Sequence, residues 1–221
     1  MLKIRCSSIG KIMTNSRSKT ETLSKTCRTY LQELAVEEMY GKRKEFSSKY
    51  TDKGNQVEDD GIKLCESVLD LGFMYKNEEH FTNDFLTGTP DVNTDIILDV
   101  KSSWDATTFP FFAEDIPNKD YFYQLQGYMA LTGKRKSYLC YCLINTPELM
   151  VEDEVRRAHW KENLIDESEE LRNHVEAQHN FDNIPAERRI KTFEVRYDKD
   201  VVKAIYDRVK ECREYYNTLI L

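Results

Sequence analysis

The stretch from residue 88 to residue 101, GTPDVNTDIILDVK, constrains the fold of this chain more than any other part of it. A turn ends at Asp91, and an apolar run then leads into Asp99 and Lys101. Because side chains on a strand alternate between two faces, Asp99 and Lys101 share a face with Ile97. Strands this apolar are usually covered on at least one face. The pattern therefore predicts a buried strand that carries an acid and an amine on the same face.

The chemistry of these side chains indicates a metal site. Carboxylate oxygens are the ligands that hard divalent cations prefer, and a bound dication can activate water for attack on a phosphodiester. Asp91 and Asp99, with Lys101 beside them, would supply such a site. The alternative is that Asp99 and Lys101 lie on the wet face of an edge strand, since an Asp-x-Lys spacing alone is a weak motif.

Two further segments carry polar side chains among apolar ones. Glu58 lies beside the apolar stripe of a helix predicted at residues 52–70 with Thr51 or Asp52 as its cap, so its carboxylate can point into a cleft. The alternative is a solvated helical acid. Gln124 lies in an aromatic-rich helix, and a buried amide needs a partner, which we expect to be backbone, a metal-bound water or a phosphate.

Apolar periodicity and turn residues divide the rest of the chain. We predict a cap at Ser7 or Ser8 for the first helix, and a C-terminal end at Gly41 for the second. The other boundaries follow from the same patterns. Helices are predicted at residues 7–14, 21–40, 52–70, around Gln124 to Leu131, 152–178 and 199–219, and strands at 73–76, 78–82, 85–90, 95–101, 138–144 and 190–197.

Several short motifs occur in a characteristic order between residues 3 and 145. They are SSIGKIM, KGNQVE, GTPD, DVKSSW and YFYQLQGYMALTGKRKSYLCY. In this order and spacing they resemble the PD-(D/E)xK nuclease superfamily. The similarity is greatest to its phage exonuclease branch, which includes lambda exonuclease and the YqaJ-type viral recombinases, with the RecB-type nuclease domain as a cousin.

The resemblance implies an α/β (α+β) fold with a restriction-endonuclease-like core. A central mixed β-sheet would be flanked by helices, and a helical C-terminal extension would follow. Residues 1–150 would form the nuclease core with a basic N-terminal helical lobe. Residues 151–221 would form a helix-strand-helix extension packed on that core.

The resemblance also implies roles for particular residues. Asp91 and Asp99 would be the principal metal ligands, the main-chain carbonyl of Val100 would complete part of the shell, and Glu58 would bind directly or through water. Mg²⁺ is the expected ion, and Mn²⁺ is expected to substitute for it. Lys101 would orient the attacking water or help to deprotonate it.

Further contacts with the substrate follow from the same resemblance. Gln124 would hold the water or the scissile phosphate. Arg5, Ser7 and Arg28 are candidates for contacts with the DNA backbone or a terminal phosphate, and Trp104 for stacking on a base. The alternatives are helix capping for the serine, surface solubility for the arginines, and core packing for the tryptophan.

The six cysteines are scattered without a compact framework, which in a non-secreted chain favours reduced thiols. Cys140 and Cys142 alternate along an apolar strand, and this suits core packing. Some CRISPR-associated relatives hold an iron–sulfur cluster with one early cysteine and a tight late group. The late cysteines here are not grouped in that way, so we expect no cluster.

Charge is distributed unevenly along the chain. The net charge is −7, but residues 1–49 hold 11 Lys and Arg against 5 Asp and Glu. The remaining residues hold 21 against 34. A basic lobe on an acidic body is compatible with nucleic acid along one side of the molecule. The alternative is a chance fluctuation of charge.

The resemblance therefore implies a Mg²⁺-dependent exodeoxyribonuclease that resects DNA ends for recombination, repair or replication. One alternative is a structure-specific or restriction-like endonuclease on the same fold. Another is a catalytically inactive protein that binds DNA ends or mediates a phage–host interaction. Expected partners are linear duplex or single-stranded DNA ends, a single-strand-annealing protein and further copies of the chain. The sequence shows no membrane span, and the expected location is the cytoplasm, that of the host if the chain is phage-encoded.

Overall fold

The elements of the fold are given by a computed structural model that describes residues 1–44, 47–164 and 166–220. The helices of these residues are α1 (Ile9–Ile12), α2 (Lys25–Tyr40), α3 (Lys49–Val68), α4 (Lys119–Thr132), α5 (Glu148–Lys161), α6 (Glu169–His179) and α7 (Lys199–Ile220). The strands are β1 (Ile4–Arg5), β2 (Phe81–Thr82), β3 (Leu86–Gly88), β4 (Val92–Asn93), β5 (Ile97–Ser102), β6 (Lys136–Cys142) and β7 (Ile190–Arg196).

Strand β5, which carries Asp99 and Lys101, lies inside a four-stranded mixed sheet of order β4-β5-β6-β7. It pairs in parallel with β6, so that Asp99 is opposite Leu139, and antiparallel with β4. A smaller mixed sheet has the order β1-β3-β2. The predicted mixed sheet flanked by helices is confirmed, and the alternative of a wet edge strand is wrong because β5 has a neighbour on both sides.

Helix α3 covers one face of the main sheet. Leu98 and Val100 of β5 pack there in a cluster with Val57 and Cys65 of α3. The helix approaches the strand closely at Gly61, where an added Cβ would lie 2.7 Å from Cγ1 of Val100. A glycine at this position therefore sets the distance between α3 and β5.

The opposite face is covered by α4 together with α1, α2 and α7. Ile97 of β5 is buried in a cluster with Leu125 of α4, Ile9 of α1, Leu31 of α2 and Ile205 of α7. The alternation of faces predicted for β5 is thus confirmed, since Ile97 lies in one cluster and its neighbour in the other. Asp99 and Lys101, which share the face of Ile97, point towards α4.

The helix ends follow their capping residues. The hydroxyl of Ser48 accepts a hydrogen bond from the Thr51 amide and forms a capping box, so α3 begins at Lys49 and not at the predicted residue 52. Gly41 ends α2 with a left-handed φ of 63°, as predicted. Ser8 is the N-cap of the first helix, as predicted, but its side chain makes no capping hydrogen bond.

Two predicted elements differ from the structure. Residues 73–76 form no strand: Met74 is buried, whereas Phe73 and Tyr75 are exposed, and the Met74 amide bonds the Glu66 carboxylate instead of a neighbouring strand. The helix predicted at 152–178 is two helices, α5 and α6. The chain turns at Asn163, whose φ is 55°, and Ser168 caps α6.

Residues beyond 150 take part in the same sheet and the same apolar cluster as those before it. Strand β7 pairs antiparallel with the whole of β6, and α7 packs against α2 through the cluster that contains Ile205. The division into two parts at residue 150 stays a prediction. No helix in the described part of the chain is long and apolar enough to span a membrane.

The cysteines are buried. Cys140 and Cys142 are on the α3 side of β6 and pack in the cluster that contains Cys65. Core packing, which the alternation on an apolar strand predicts, is therefore confirmed for both. The expectation that the chain holds no iron–sulfur cluster stays a prediction.

Candidate active site

Strands β4 and β5 bring the two predicted acids together. Val92 pairs with Leu98, so Asp91, immediately before β4, is next to Asp99 across the ladder. The Asp91 carboxylate accepts a hydrogen bond of 2.7 Å from the main-chain N–H of Val100. Asp99 is fully buried. A tight turn into β4 and a buried β5 thus hold two carboxylates at one end of the sheet.

Lys101 contacts the same acid. Its Nζ lies 2.5 Å from Oδ2 of Asp99 and 3.5 Å from the carbonyl of Val100. The ion pair is close, yet Oδ2 receives no well-directed hydrogen bond. Burial opposes the ammonium form, but the carboxylates of Asp99 and Asp91 outweigh it and raise the pKa of Lys101.

Gln124 reaches the site from α4. Its Nε2 donates to Oδ1 of Asp99 at 2.9 Å and to the hydroxyl of Tyr128 at 3.0 Å. The partner that a buried amide requires is therefore the Asp99 carboxylate, which the sequence did not indicate. This hydrogen bond fixes the rotamer of Asp99. The other carboxylate oxygen, Oδ2, is directed away from the side-chain amide of Gln124.

The two acids differ in their electrostatics. Burial, followed by the negative charge of Asp99, raises the pKa of Asp91 to about 7. The negative charge of Glu58 adds to this rise in pKa, so both Asp99 and Glu58 act electrostatically on Asp91. A bound cation would relieve this repulsion and favour the ionised form of Asp91.

Glu58 is held at the edge of the site by a lysine that sequence reasoning missed. Lys76 Nζ lies 3.0 Å from Oε1 of Glu58 and 3.1 Å from Oδ1 of Asp59. Nothing local in the sequence marks Lys76, because its distance from Glu58 depends on how the segment after α3 folds back. Asp59, next to Glu58, has an exposed carboxylate and is a solvated acid of the helix.

The donor set fits a hard divalent cation. Among the residues described, no group of three or more His, Cys, Asp or Glu side chains is arranged to hold a metal ion. Mg²⁺, however, keeps several waters and commonly takes only one or two carboxylates. Asp91 and Asp99 supply these, and the buried Oδ2 of Asp99 has no well-directed donor. The Val100 carbonyl, 3.5 Å from Lys101 Nζ, offers a further oxygen.

The predicted DNA contacts have varied surroundings. Arg5 is paired with Glu37 through two contacts of 2.9 and 3.1 Å, and Arg28 with Glu21 at 2.5 Å. Ser7 is exposed in the 3₁₀ turn before α1. These arginines are therefore partly neutralised, and the serine is accessible.

Trp104 is packed rather than presented to solvent. Its indole is 5% exposed and makes edge-on contacts with Tyr50 and His179. Lys49 Nζ lies 4.4 Å from the ring centroid. In the structure Trp104 is therefore a core residue, which is the alternative that the sequence left open.

A basic cavity lies at the start of α2. It has a volume of about 660 Å³ and is lined by Arg17, Lys25 and Arg28, by Glu21, which pairs with Arg28, and by several Ser and Thr hydroxyls. Cations and hydroxyls of this kind are typical contacts for phosphate. The cavity is therefore a candidate surface for contacts with a nucleic-acid backbone.

The same fold occurs in a phage related exonuclease from Haemophilus somnus 129PT. The TM-score is 0.79, the sequence identity is 31%, and the match covers 99% of this chain and 95% of that one. The chain belongs to the phage exonuclease branch of the PD-(D/E)xK nuclease superfamily. The resemblance carried by the short motifs is thereby confirmed, and the family makes this chain a nuclease.

More distant exonucleases share the fold. The alkaline exonuclease LHK-Exo from Laribacter hongkongensis matches with a TM-score of 0.65 and 14% identity, over 99% of this chain and 89% of that one. The structure of LHK-Exo in complex with dAMP matches with the same TM-score and coverage at 16% identity. No protein-family model and no curated protein matches the chain.

Proposed function

We propose that this phage exonuclease family member is a Mg²⁺-dependent exodeoxyribonuclease, with Mn²⁺ able to substitute. The observation that carries the proposal is the pair of carboxylates, Asp91 and Asp99, beside Lys101. Lys101 Nζ lies 2.5 Å from Oδ2 of Asp99, a buried oxygen that receives no well-directed hydrogen bond. Family membership supports the reaction, and the oxygen donors support the ion.

The residues of the site divide the work. Asp91, Asp99 and the Val100 carbonyl would hold the ion, with Glu58 as a ligand directly or through water. The ion, when bound, neutralises charge on the phosphoryl oxygens and lowers the pKa of water. Gln124 keeps Asp99 in its rotamer through the 2.9 Å hydrogen bond.

Lys101 has two tasks in this proposal. While Asp99 and Asp91 keep its pKa raised, it is an ammonium that orients the attacking water and can donate to a phosphoryl oxygen. When the two carboxylates serve as ligands, their hold on the lysine weakens, and its amine can help to take the proton of the water.

The proposed substrate is DNA with free ends, either linear duplex or single-stranded. The complex of LHK-Exo with dAMP supports a nucleotide-binding site in this fold, and the basic cavity at Arg17 and Lys25 supports contacts with the backbone. A single-strand-annealing protein and further copies of the chain are proposed partners. The reaction is proposed to take place in the cytoplasm, in the course of end resection.

The test is digestion of DNA that carries a label on its internal nucleotides. The same duplex is offered as a linear fragment and as a covalently closed circle, with Mg²⁺ and with EDTA. We expect label release from the linear form only, in the presence of Mg²⁺ only. Cleavage of the closed circle would favour the endonuclease alternative, and stable binding without any cleavage would favour the inactive DNA-end-binding alternative.

A further inference from the structure

Lys53 is a fully buried lysine on α3 that the reaction proposed above does not use. Its Nζ donates to the main-chain carbonyls of Ser103 at 2.8 Å and Trp104 at 2.9 Å. The rings of Trp104 and Phe181 lie 5.8 and 5.4 Å from the same nitrogen. The amine thus spans from a helix to the main chain that leaves β5.

Burial of the Lys53 amine is unfavourable in free energy. Lysine is among the residues least often fully buried, and within the described residues no acid forms an ion pair with Lys53 at 4 Å or less. Burial lowers the pKa of Lys53 to about 8, with a small opposing effect of Asp105. Burial and then the Lys53 charge lower the pKa of the nearby His179. An apolar residue would fill this space without that free-energy cost. The presence of the Lys53 hydrogen-bond donors therefore needs an explanation.

The position of the two main-chain carbonyls that accept from Lys53 explains why donors are needed there. Ser103 and Trp104 follow directly after β5, two and three residues beyond Lys101. The Ser103 amide donates to the carbonyl of Cys142 on β6 at 2.9 Å. The exit of β5 is therefore held on one side by β6 and on the other by Lys53 of α3, the helix that also carries Glu58.

We propose that Lys53 is a positioning residue for the nuclease reaction: it ties α3 to the exit of β5 and so fixes Asp99 and Lys101 relative to Glu58. The inference rests on the proposed function. Apolar packing between α3 and β5 resists separation of the two elements but only weakly resists sliding, since it is non-directional. Two directed hydrogen bonds at the strand exit resist sliding, and displacements of about 1 Å in an active site can lower rates about 100-fold.

The experiment compares Lys53→Met, Lys53→Arg and a control, Lys134→Met. Lys134 also donates to a main-chain carbonyl beside β5, that of Thr94, but at the opposite end of the strand. We expect Lys53→Met to lower kcat about 10- to 100-fold with KM for linear DNA changed less than about threefold. The control should keep kcat within about twofold of wild type.

Lys53→Arg separates the hydrogen bonds from packing. Met matches the shape of the lysine better, whereas Arg keeps donors for both carbonyls. We expect Lys53→Arg to be more active than Lys53→Met. A more active Met variant would overturn the proposal, as would a Met variant with the kcat of wild type and only a lower unfolding midpoint. If the Met variant does not fold, Lys53→Gln, whose single amide cannot reach both carbonyls, must show the same fall in kcat, and an unchanged kcat overturns the proposal.

Hydrogen exchange at the Ser103 amide reads the tie without any catalysis. We expect faster exchange in Lys53→Met and unchanged exchange in Lys134→Met. An inactive wild type with this exchange pattern would contradict the proposed function while leaving the tie in place. An active wild type, with both exchange and kcat unaffected by Lys53→Met, would contradict the positioning role alone.

Discussion

The two carboxylate oxygens of Asp99 have different neighbours. Oδ1 accepts a hydrogen bond from Gln124, whereas Oδ2 lies beside Lys101 without a well-directed donor. Oδ1 is thus fixed by Gln124, and a bound cation would share Oδ2 with the Lys101 ammonium. The face shared by Asp99 and Lys101 could be predicted from alternation along the strand, and their roles from the family motifs. The contacts of Lys53 and Lys76 could not, because each joins segments whose approach depends on tertiary packing.

Removal of either reactive group should separate cleavage from binding. We expect Asp99→Ala and Lys101→Ala to lower kcat at least about 1000-fold, because the site loses its buried ligand or the amine beside that ligand. Retention of DNA in a gel-shift assay should remain measurable. Lys63→Ala, at an exposed lysine paired with Asp60 on α3, is the control and should cleave normally; full activity in the first two variants would refute the site.

The titration of Lys53 predicts a dependence of stability on pH. Its pKa falls from 10.5 in the unfolded chain to about 8 in the fold, so folding releases a proton between these values. The contribution of Lys53 to the free energy of unfolding therefore rises as pH increases from about 8 to 10.5, by about 1–3 kcal/mol. Urea denaturation of wild type and Lys53→Met at pH 7.5 and 9.5 should show that the stability of wild type minus that of the variant is larger at the higher pH. A constant difference would show that Lys53 does not titrate in this range.

At the scale of elements, the site depends on how closely α3 lies on β5. Strand β5 and helix α4 were predictable, because an apolar run and an aromatic-rich helix are strong local patterns. The start of α3 and the break between α5 and α6 were not, since Ser48 and Asn163 act through local geometry that several neighbouring residues could equally have supplied. Gly61 is the residue that permits the close approach of α3 to β5. The need for glycine at this position is evident only from the structure, where Val100 faces it.

Gly61→Ala should push α3 away from β5. The added Cβ would lie 2.7 Å from Val100 Cγ1, and such overpacking costs about 1–3 kcal/mol. We expect a lower urea midpoint and a lower kcat, because Glu58 moves with the helix. Gly54→Ala is the matched control: a Cβ there meets nothing within 4 Å, so the variant should be up to about 1 kcal/mol more stable than wild type. Equal stability of the two variants would contradict the close contact.

At the scale of the whole molecule, charge is separated along the chain. The basic excess of the first 49 residues was readable from the sequence, but the pairing of Arg5 and Arg28 with glutamates was not. That pairing leaves Arg17 and Lys25, which line the basic cavity, as the better candidates for DNA contacts. The membership of β7 in the main sheet also required the structure, because the match of motifs ends before it.

The basic cavity predicts a salt dependence of DNA binding. We expect Arg17→Ala and Lys25→Ala each to weaken binding and to reduce the slope of log K against log salt by about 1. Lys203→Ala, at a lysine paired with Asp207 on α7, should leave the slope unchanged. The measurement is fluorescence anisotropy with a labelled duplex in EDTA. Equal slopes in all three variants would place the DNA elsewhere on the molecule.

Calorimetric titration of the DNA-free protein with Mn²⁺ tests the central claim most directly. Wild type should bind the ion, and both Asp91→Ala and Asp99→Ala should weaken binding at least about tenfold, because each removes an anionic oxygen ligand. Asp60→Ala, at an exposed acid on α3, should bind like wild type. Isotherms of Asp91→Ala and Asp99→Ala that coincide with that of wild type would contradict a metal centre at this end of the sheet.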